Sequence, residues 1–216
     1  MFLRHKTRPF DPSPSWRTAM QSFPRAKKPV CAMLLALLLT GCQQPPSWQT
    51  RNIQGLMPDL AFQMRDENGD SVTAANYLKQ NILLFFGYTH CPHICPTTLA
   101  RLGVLMHKLG PAAADFSILF VSMDPERDTP AVLKQYTAAF APNIIGLAGN
   151  AAQTAAIAKR YRVAFGHEKP DANGDYAVFH SNAVYVFDTT GKARLLFTSS
   201  NTPEQLLADL RQLHDA

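Results

Sequence analysis

An α/β domain built around a largely parallel sheet is the fold this sequence predicts, on three observations. Residues 82–88 and 116–123 are continuous apolar runs of strand length, as expected of strands covered on both faces. Segments with apolar residues at helical spacing alternate with them: Leu99, Leu102, Leu105, Met106 and Leu109, then Val132, Leu133, Tyr136 and Phe140. Shorter runs joined by turns stand on either side of this array, at 60–73 and 183–198. Strands that alternate with helices need crossover connections, and crossovers make parallel neighbours.

The elements follow in order. Residues 60–73 form a β-hairpin about the turn Glu67-Asn68-Gly69-Asp70, and residues 82–88 the first buried strand. The helix over 97–109 is stopped by Gly110-Pro111. After the strand at 116–123, Thr129 serves as N-cap and Pro130 as the first helical residue, and the helix runs to Pro142. A short strand at 144–147 precedes a helix over 151–162 capped by Asn150. Residues 176–179, 183–188 and 193–198 are strands, the last two joined by Thr189-Thr190-Gly191-Lys192. Thr202-Pro203 opens a closing helix with Leu206, Leu207, Leu210 and Leu213 on one face. This order matches a thioredoxin-like sheet with an added N-terminal β-hairpin.

The 216 residues carry a net charge of +5, but the excess is local. Residues 1–41 hold seven Lys or Arg against one acid, Asp11, which leaves 14 Lys/Arg against 15 Asp/Glu in the rest. The folded part therefore has no electrostatic footprint for nucleic acid. Arg25, Lys27 and Lys28, then the apolar residues 30–39, then Leu39-Thr40-Gly41-Cys42 have the order of a secretory signal. Its apolar stretch is too short to span a bilayer. Ending on cysteine, it resembles a bacterial lipobox, which implies a signal peptide over 1–41 and lipidation of Cys42. Met20 is the more natural start, and that would leave 1–19 untranslated. Residues 42–55 read as a lipidated tether and 56–216 as the globular domain. The expected location is a membrane-anchored lipoprotein facing the periplasm.

The chemistry centres on His90-Cys91-Pro92-His93-Ile94-Cys95-Pro96, directly after the first buried strand. Two thiols at C-x-x-x-C spacing can close a disulfide or hold a thiophilic metal with a third ligand from elsewhere. A purely structural disulfide is a poor use of them, because so short a loop gives little stabilisation. Placed at a helix start, they feel unpaired backbone N–H groups and the helix dipole, both of which favour thiolate. Outside the cytoplasm such a pair needs a reductant or a metal to stay functional. His90 and His93 flank the thiols too closely for easy ligation, and His107, His167 and His214 carry no signal. His180 lies between strand-like stretches where an imidazole interrupts an apolar surface, and spacing leaves it open between ligand and structural histidine.

Residues 88–96, Tyr-Thr-His-Cys-Pro-His-Ile-Cys-Pro, resemble the G-[YF]-T-x-C-P-x-x-C-P motif of the Sco (SenC/PrrC) family. Asp124-Pro125-Glu126-Arg127-Asp128-Thr129 is similar to that family's D-P-x-R-D-T segment, and 175–181 to its acidic-aromatic run ending in a histidine. The three matches come in family order. The resemblance implies a copper ion held by Cys91, Cys95 and His180, and a metallochaperone role in assembling the CuA centre of cytochrome c oxidase. It implies the oxidase CuA subunit as partner, with a periplasmic copper donor or thiol reductant beside it. Asp124 or Arg127, on the same sheet edge as the Cys loop, could orient the site from behind the ligands.

The runner-up is a thiol-disulfide oxidoreductase in which Cys91 and Cys95 are a redox pair that reduces the oxidase's copper-site cysteines. A peroxidase of the same fold would need P-x-x-x-T-x-x-C. Tyr88 and Pro92 occupy the threonine position for Cys91 and Cys95, so that pattern fails.

Overall fold

The computed structural model describes residues 47–216. The leader and residues 42–46 of the expected tether, Cys42 among them, lie outside the described residues. A mixed eight-stranded sheet is ordered β1-β10-β9-β4-β5-β6-β2-β3. Its centre is β4 (Asn81–Gly87), β5 (Phe116–Ser122) and β6 (Ile144–Ala148), paired in parallel. Every residue of β4 and β5 is buried, as their unbroken apolar runs require. Antiparallel β9 (Val184–Phe187) and β10 (Ala193–Phe197) extend one side, and the hairpin β2 (Gln63–Asp66) and β3 (Ser71–Thr73) docks antiparallel on β6 at the other.

Both faces of the sheet are covered, and the alternation of aromatic rings along β4 shows how. Phe85 packs on Phe120, which packs on Tyr136 of helix α2 (Pro130–Ala138). Phe86, pointing the other way, meets Tyr161 just past helix α3 (Ala151–Arg160). Helix α1 (Ile94–Leu109) buries the leucine stripe expected of it and packs against helix α4 (Pro203–His214). The predicted caps form: Thr129 accepts from the Val132 N–H, Asn150 from Gln153 and Thr202 from Gln205.

Three local expectations are corrected. Helix α1 starts at Ile94, not at 97, because Pro96 falls in the first turn, where its missing N–H costs nothing. Cys95 therefore sits on the helix. Part of the expected tether belongs to the sheet: β1 (Arg51–Asn52) pairs with β10. Just ahead of it, the buried carboxylate of Asp209 in α4 accepts the Gln49 N–H, the Thr50 N–H and the Thr50 hydroxyl. The strand expected at 176–179 is instead β8 (Val178–His180), and it pairs with β7 (Phe165–His167), a strand not expected from the sequence. These two form a ribbon separate from the main sheet. Its other side needs Gly166, where a Cβ would stand 2.4 Å from the Phe179 ring lying across it.

Candidate metal centre

The Cys loop leaves the C-terminal end of β4 and runs into the first turn of α1. Both cysteines are free thiols, Cys95 buried and Cys91 half-buried. The Cys95 N–H points at the Cys91 sulfur, 3.4 Å away. Partial burial pushes the Cys91 thiol up, but hydrogen bonding from Cys95, His93 and Ile94 at the helix start outweighs it, and the net shift is downward. Cys95 moves the other way. Burial raises it strongly, and the charges of Cys91 and Asp128 add to the rise. The two thiols are therefore unequal, Cys91 the more easily ionised and Cys95 the less.

His180, at the end of β8, reaches across 85 positions of chain to place Nε2 3.3 Å from the Cys95 sulfur. Its Nδ1 lies 3.0 Å from the Ser181 carbonyl, which can only accept. Nδ1 therefore carries the proton and Nε2 offers its lone pair inward. Burial holds the imidazole below its ordinary pKa of 6.5, against the opposing effect of Ser181, so it is neutral near pH 7. Two rings fix its plane edge-to-face, Phe85 at 6.2 Å and Tyr88 at 6.0 Å between centroids. The three donor atoms lie within 4.8 Å of one another. An ion held in a plane by three donors at about 2.2 Å would set them about 3.8 Å apart. The 3.3 Å between sulfur and Nε2 is a hydrogen-bond spacing that opens slightly when a metal replaces the thiol proton. Two soft sulfurs and one neutral imidazole suit a thiophilic ion.

A family model described as SCO1/SenC matches residues 54–215. The chain belongs to the SCO1/SenC family. It is 35% identical over 153 residues to the mitochondrial SCO2 homolog of Bos taurus, an alignment covering 70% of this chain and 58% of that protein. The chain thus spans less than two thirds of that relative. The structure of Bradyrhizobium japonicum ScoI with copper bound is 38% identical, covering 72% of this chain and 98% of that one, with a TM-score of 0.66. Yeast Sco1 with copper bound is 31% identical, covering 74% and 90%, with a TM-score of 0.68. The fold expected from the element order, a thioredoxin-like sheet, is that of these SCO1/SenC proteins.

Within this family frame, the residues at the end of β5 divide into two groups. Asp124 pairs with the Arg127 guanidinium and accepts the Tyr176 hydroxyl at 2.8 Å. Arg127 also donates to the Tyr176 carbonyl at 2.9 Å and stacks 3.7 Å from that ring's centroid. This cluster grips the segment that leads into β8, and so acts on the ribbon that carries His180. It touches none of the three donors directly. Asp128, which the sequence reading did not single out, is the residue that holds the Cys loop. Fully buried, it accepts the Thr89 N–H at 3.1 Å, the Thr89 hydroxyl at 2.6 Å and the Ser122 hydroxyl at 2.6 Å. Its signal was present in the run from Asp124 to Thr129, as a second aspartate just past a strand end.

The other histidines stay out of the centre. His90 and His93 are exposed, His90 hydrogen-bonding the Thr89 hydroxyl at 3.1 Å. His107 is on the outer face of α1, His167 packs edge-on against Tyr176 and His214 pairs with Asp115. Among the described residues no helix is long and apolar enough to cross a membrane.

Proposed function

We propose that this protein is a copper metallochaperone that binds copper through Cys91, Cys95 and His180 and delivers it to the CuA site during cytochrome c oxidase assembly. The observation that carries this reading is the convergence of two sulfurs and a lone-pair-bearing Nε2 within 4.8 Å. Copper-bound relatives of the same fold support it. A three-donor centre with one half-exposed thiolate, Cys91, leaves a side from which the oxidase subunit's thiolates can exchange ligands with the ion. Loading from a periplasmic copper donor would use the same opening. The test is copper titration of the reduced domain, read by optical spectroscopy. Wild type should take one copper with a sulfur-to-copper charge-transfer band, and His180→Ala should lose the band and most of the affinity. No band in either protein refutes the proposal.

The unequal thiols favour a second reading, a thiol-disulfide oxidoreductase. Cys91 thiolate would attack a disulfide in the partner to give a mixed disulfide. Cys95 would then attack Cys91, releasing the partner's reduced dithiol and leaving a Cys91–Cys95 disulfide for an external thiol reductant to reset. This chemistry does not use His180. A His180→Ala protein that exchanges thiols at the wild-type rate, from a wild type that binds no copper, would favour it.

Asp124 and Arg127 enter this proposal as positioning residues for the His180 ribbon. Cys42 enters as the lipidated residue of an exported protein that faces the periplasm. Its support is the n-region, apolar stretch and Leu-Thr-Gly-Cys order of residues 25–42. Radiolabelled fatty acid incorporated by wild type and not by Cys42→Ser would bear this out, and equal labelling would refute it.

A further inference from the structure

Three aspartates are fully buried among the described residues: 124, 128 and 209. Asp124 is answered by the Arg127 cation, and Asp209 by the N–H groups of Gln49 and Thr50 and the Thr50 hydroxyl. Asp128, like Asp209, has neutral donors only, apart from the half-exposed His90 ring at 3.9 Å, and of the two it is the one beside the Cys loop. Burial pushes its pKa above the ordinary carboxylate value against the hydrogen bonds from Ser122 and Thr89, it has no Lys or Arg partner, and it grips Thr89, two residues ahead of Cys91. Hydrogen bonds from neutral groups lower the energy of such a carboxylate but leave its field in place.

We infer that the Asp128 carboxylate, fixed by Thr89 and Ser122, sets the oxidation-state preference of the site, favouring cupric over cuprous copper and the disulfide over the dithiol. The copper half of this inference rests on the proposed ligand set; the disulfide half does not. Two thiolates and a neutral imidazole carry one net negative charge around cuprous ion and none around cupric ion. Loss of one electron therefore removes negative charge beside a fixed negative carboxylate. In the metal-free protein, at a pH where Cys91 is ionised, Cys91 thiolate and Cys95 thiol form the sulfur–sulfur bond with loss of one proton and two electrons to the oxidant of a thiol buffer. That step also removes one negative charge. Unit charges screened by an effective dielectric constant near 20 act across a protein site with an effect on the order of tenfold.

The test compares Asp128→Asn, Asp128→Glu and Thr89→Val with wild type. The cupric/cuprous midpoint is read by electrochemistry on the copper-loaded protein, and the dithiol/disulfide midpoint in glutathione buffers on the metal-free protein. Asp128→Asn keeps the shape and removes the charge. A tenfold effect raises the copper midpoint by about 59 mV and the disulfide midpoint by about 30 mV. Asp128→Glu restores the charge and returns both toward wild type. Thr89→Val removes one donor and keeps the charge, so both midpoints stay near wild type. Wild-type midpoints in Asp128→Asn overturn the inference. So do shifts of the same sign in Asp128→Asn and Thr89→Val, which mark a purely structural role. If Asp128→Asn does not fold, Asp128→Ser takes its place, with an upward shift in support and any other result against. A wild type without a thiolate–copper band defeats the ligand assignment, and the disulfide midpoint then remains as the test of Asp128.

Discussion

Gly87 is the position where a single methyl group reaches both the core and the metal centre. It ends β4, and its carbonyl accepts the Met123 N–H at 2.7 Å, so the backbone there is pinned to the neighbouring chain. A Cβ at Gly87 would lie 2.5 Å from Cε2 of Phe120 and 2.8 Å from the Cys95 sulfur, where ordinary contact begins at 3.4 Å. Neither neighbour has a free direction: Phe120 is clamped between Phe85 and Tyr136, and Cys95 is on a buried helical turn. Overpacking of this kind costs about 1–3 kcal/mol. At roughly 2–4 °C per kcal/mol for a domain of this size, Gly87→Ala should lower the melting temperature by about 2–12 °C. The sulfur must also retreat by more than the roughly 0.5 Å that a preorganised site tolerates. Copper affinity should therefore fall at least about tenfold, beyond what the stability loss explains. Urea unfolding of the metal-free protein and copper titration under a competing chelator measure the two effects. Gly87→Ala with wild-type stability and wild-type affinity would refute the claim that the strand end and the thiol share one packed volume.

Arg127→Ala leaves the buried Asp124 with only the Tyr176 hydroxyl and removes the stacked cation from the segment ahead of β8. Loss of hydrogen bonds to a charged group predicts a cost of about 1–3 kcal/mol, and faster amide exchange in β7 and β8 than in the main sheet. Unchanged exchange in the ribbon would separate Arg127 from the placement of His180. The depressed pKa of His180 predicts a pH dependence in the metal-free protein. Between its folded value and 6.5 the unfolded chain holds a proton that the folded chain does not, so stability rises with pH across that window and falls as pH drops below about 6.5. Unfolding midpoints measured from pH 7.5 to 5 should show this slope in wild type and a flatter one in His180→Gln. Equal slopes would count against a buried, neutral imidazole.

The central sheet was legible because its strands are buried on both faces, and unbroken apolar runs such as Ile82-Leu83-Leu84-Phe85-Phe86 have few other folded uses. Caps were legible for an equally local reason, since Thr129, Asn150 and Thr202 each act on an N–H three residues away. The elements that were misplaced are those decided by distant partners. β1 is two exposed residues that exist as a strand only because β10 offers an open edge and Asp209 holds the chain beside it. The ribbon of β7 and β8 has three residues a side, and its register depends on Gly166 admitting Phe179 and on Arg127 drawing Tyr176 away from the strand. At the site, the pair of thiols was readable from spacing, because side chains four positions apart in a short loop stay close in space. The place of His180 was not, since nothing local determines a contact across 85 residues; family resemblance supplied it. Asp128 shows the complementary case. A carboxylate at a strand end ordinarily reads as solvated, and only the structure shows that the turn after β5 folds it inward to meet Thr89 and Ser122. What makes it consequential is therefore its burial, a property of the assembled sheet edge rather than of the residue.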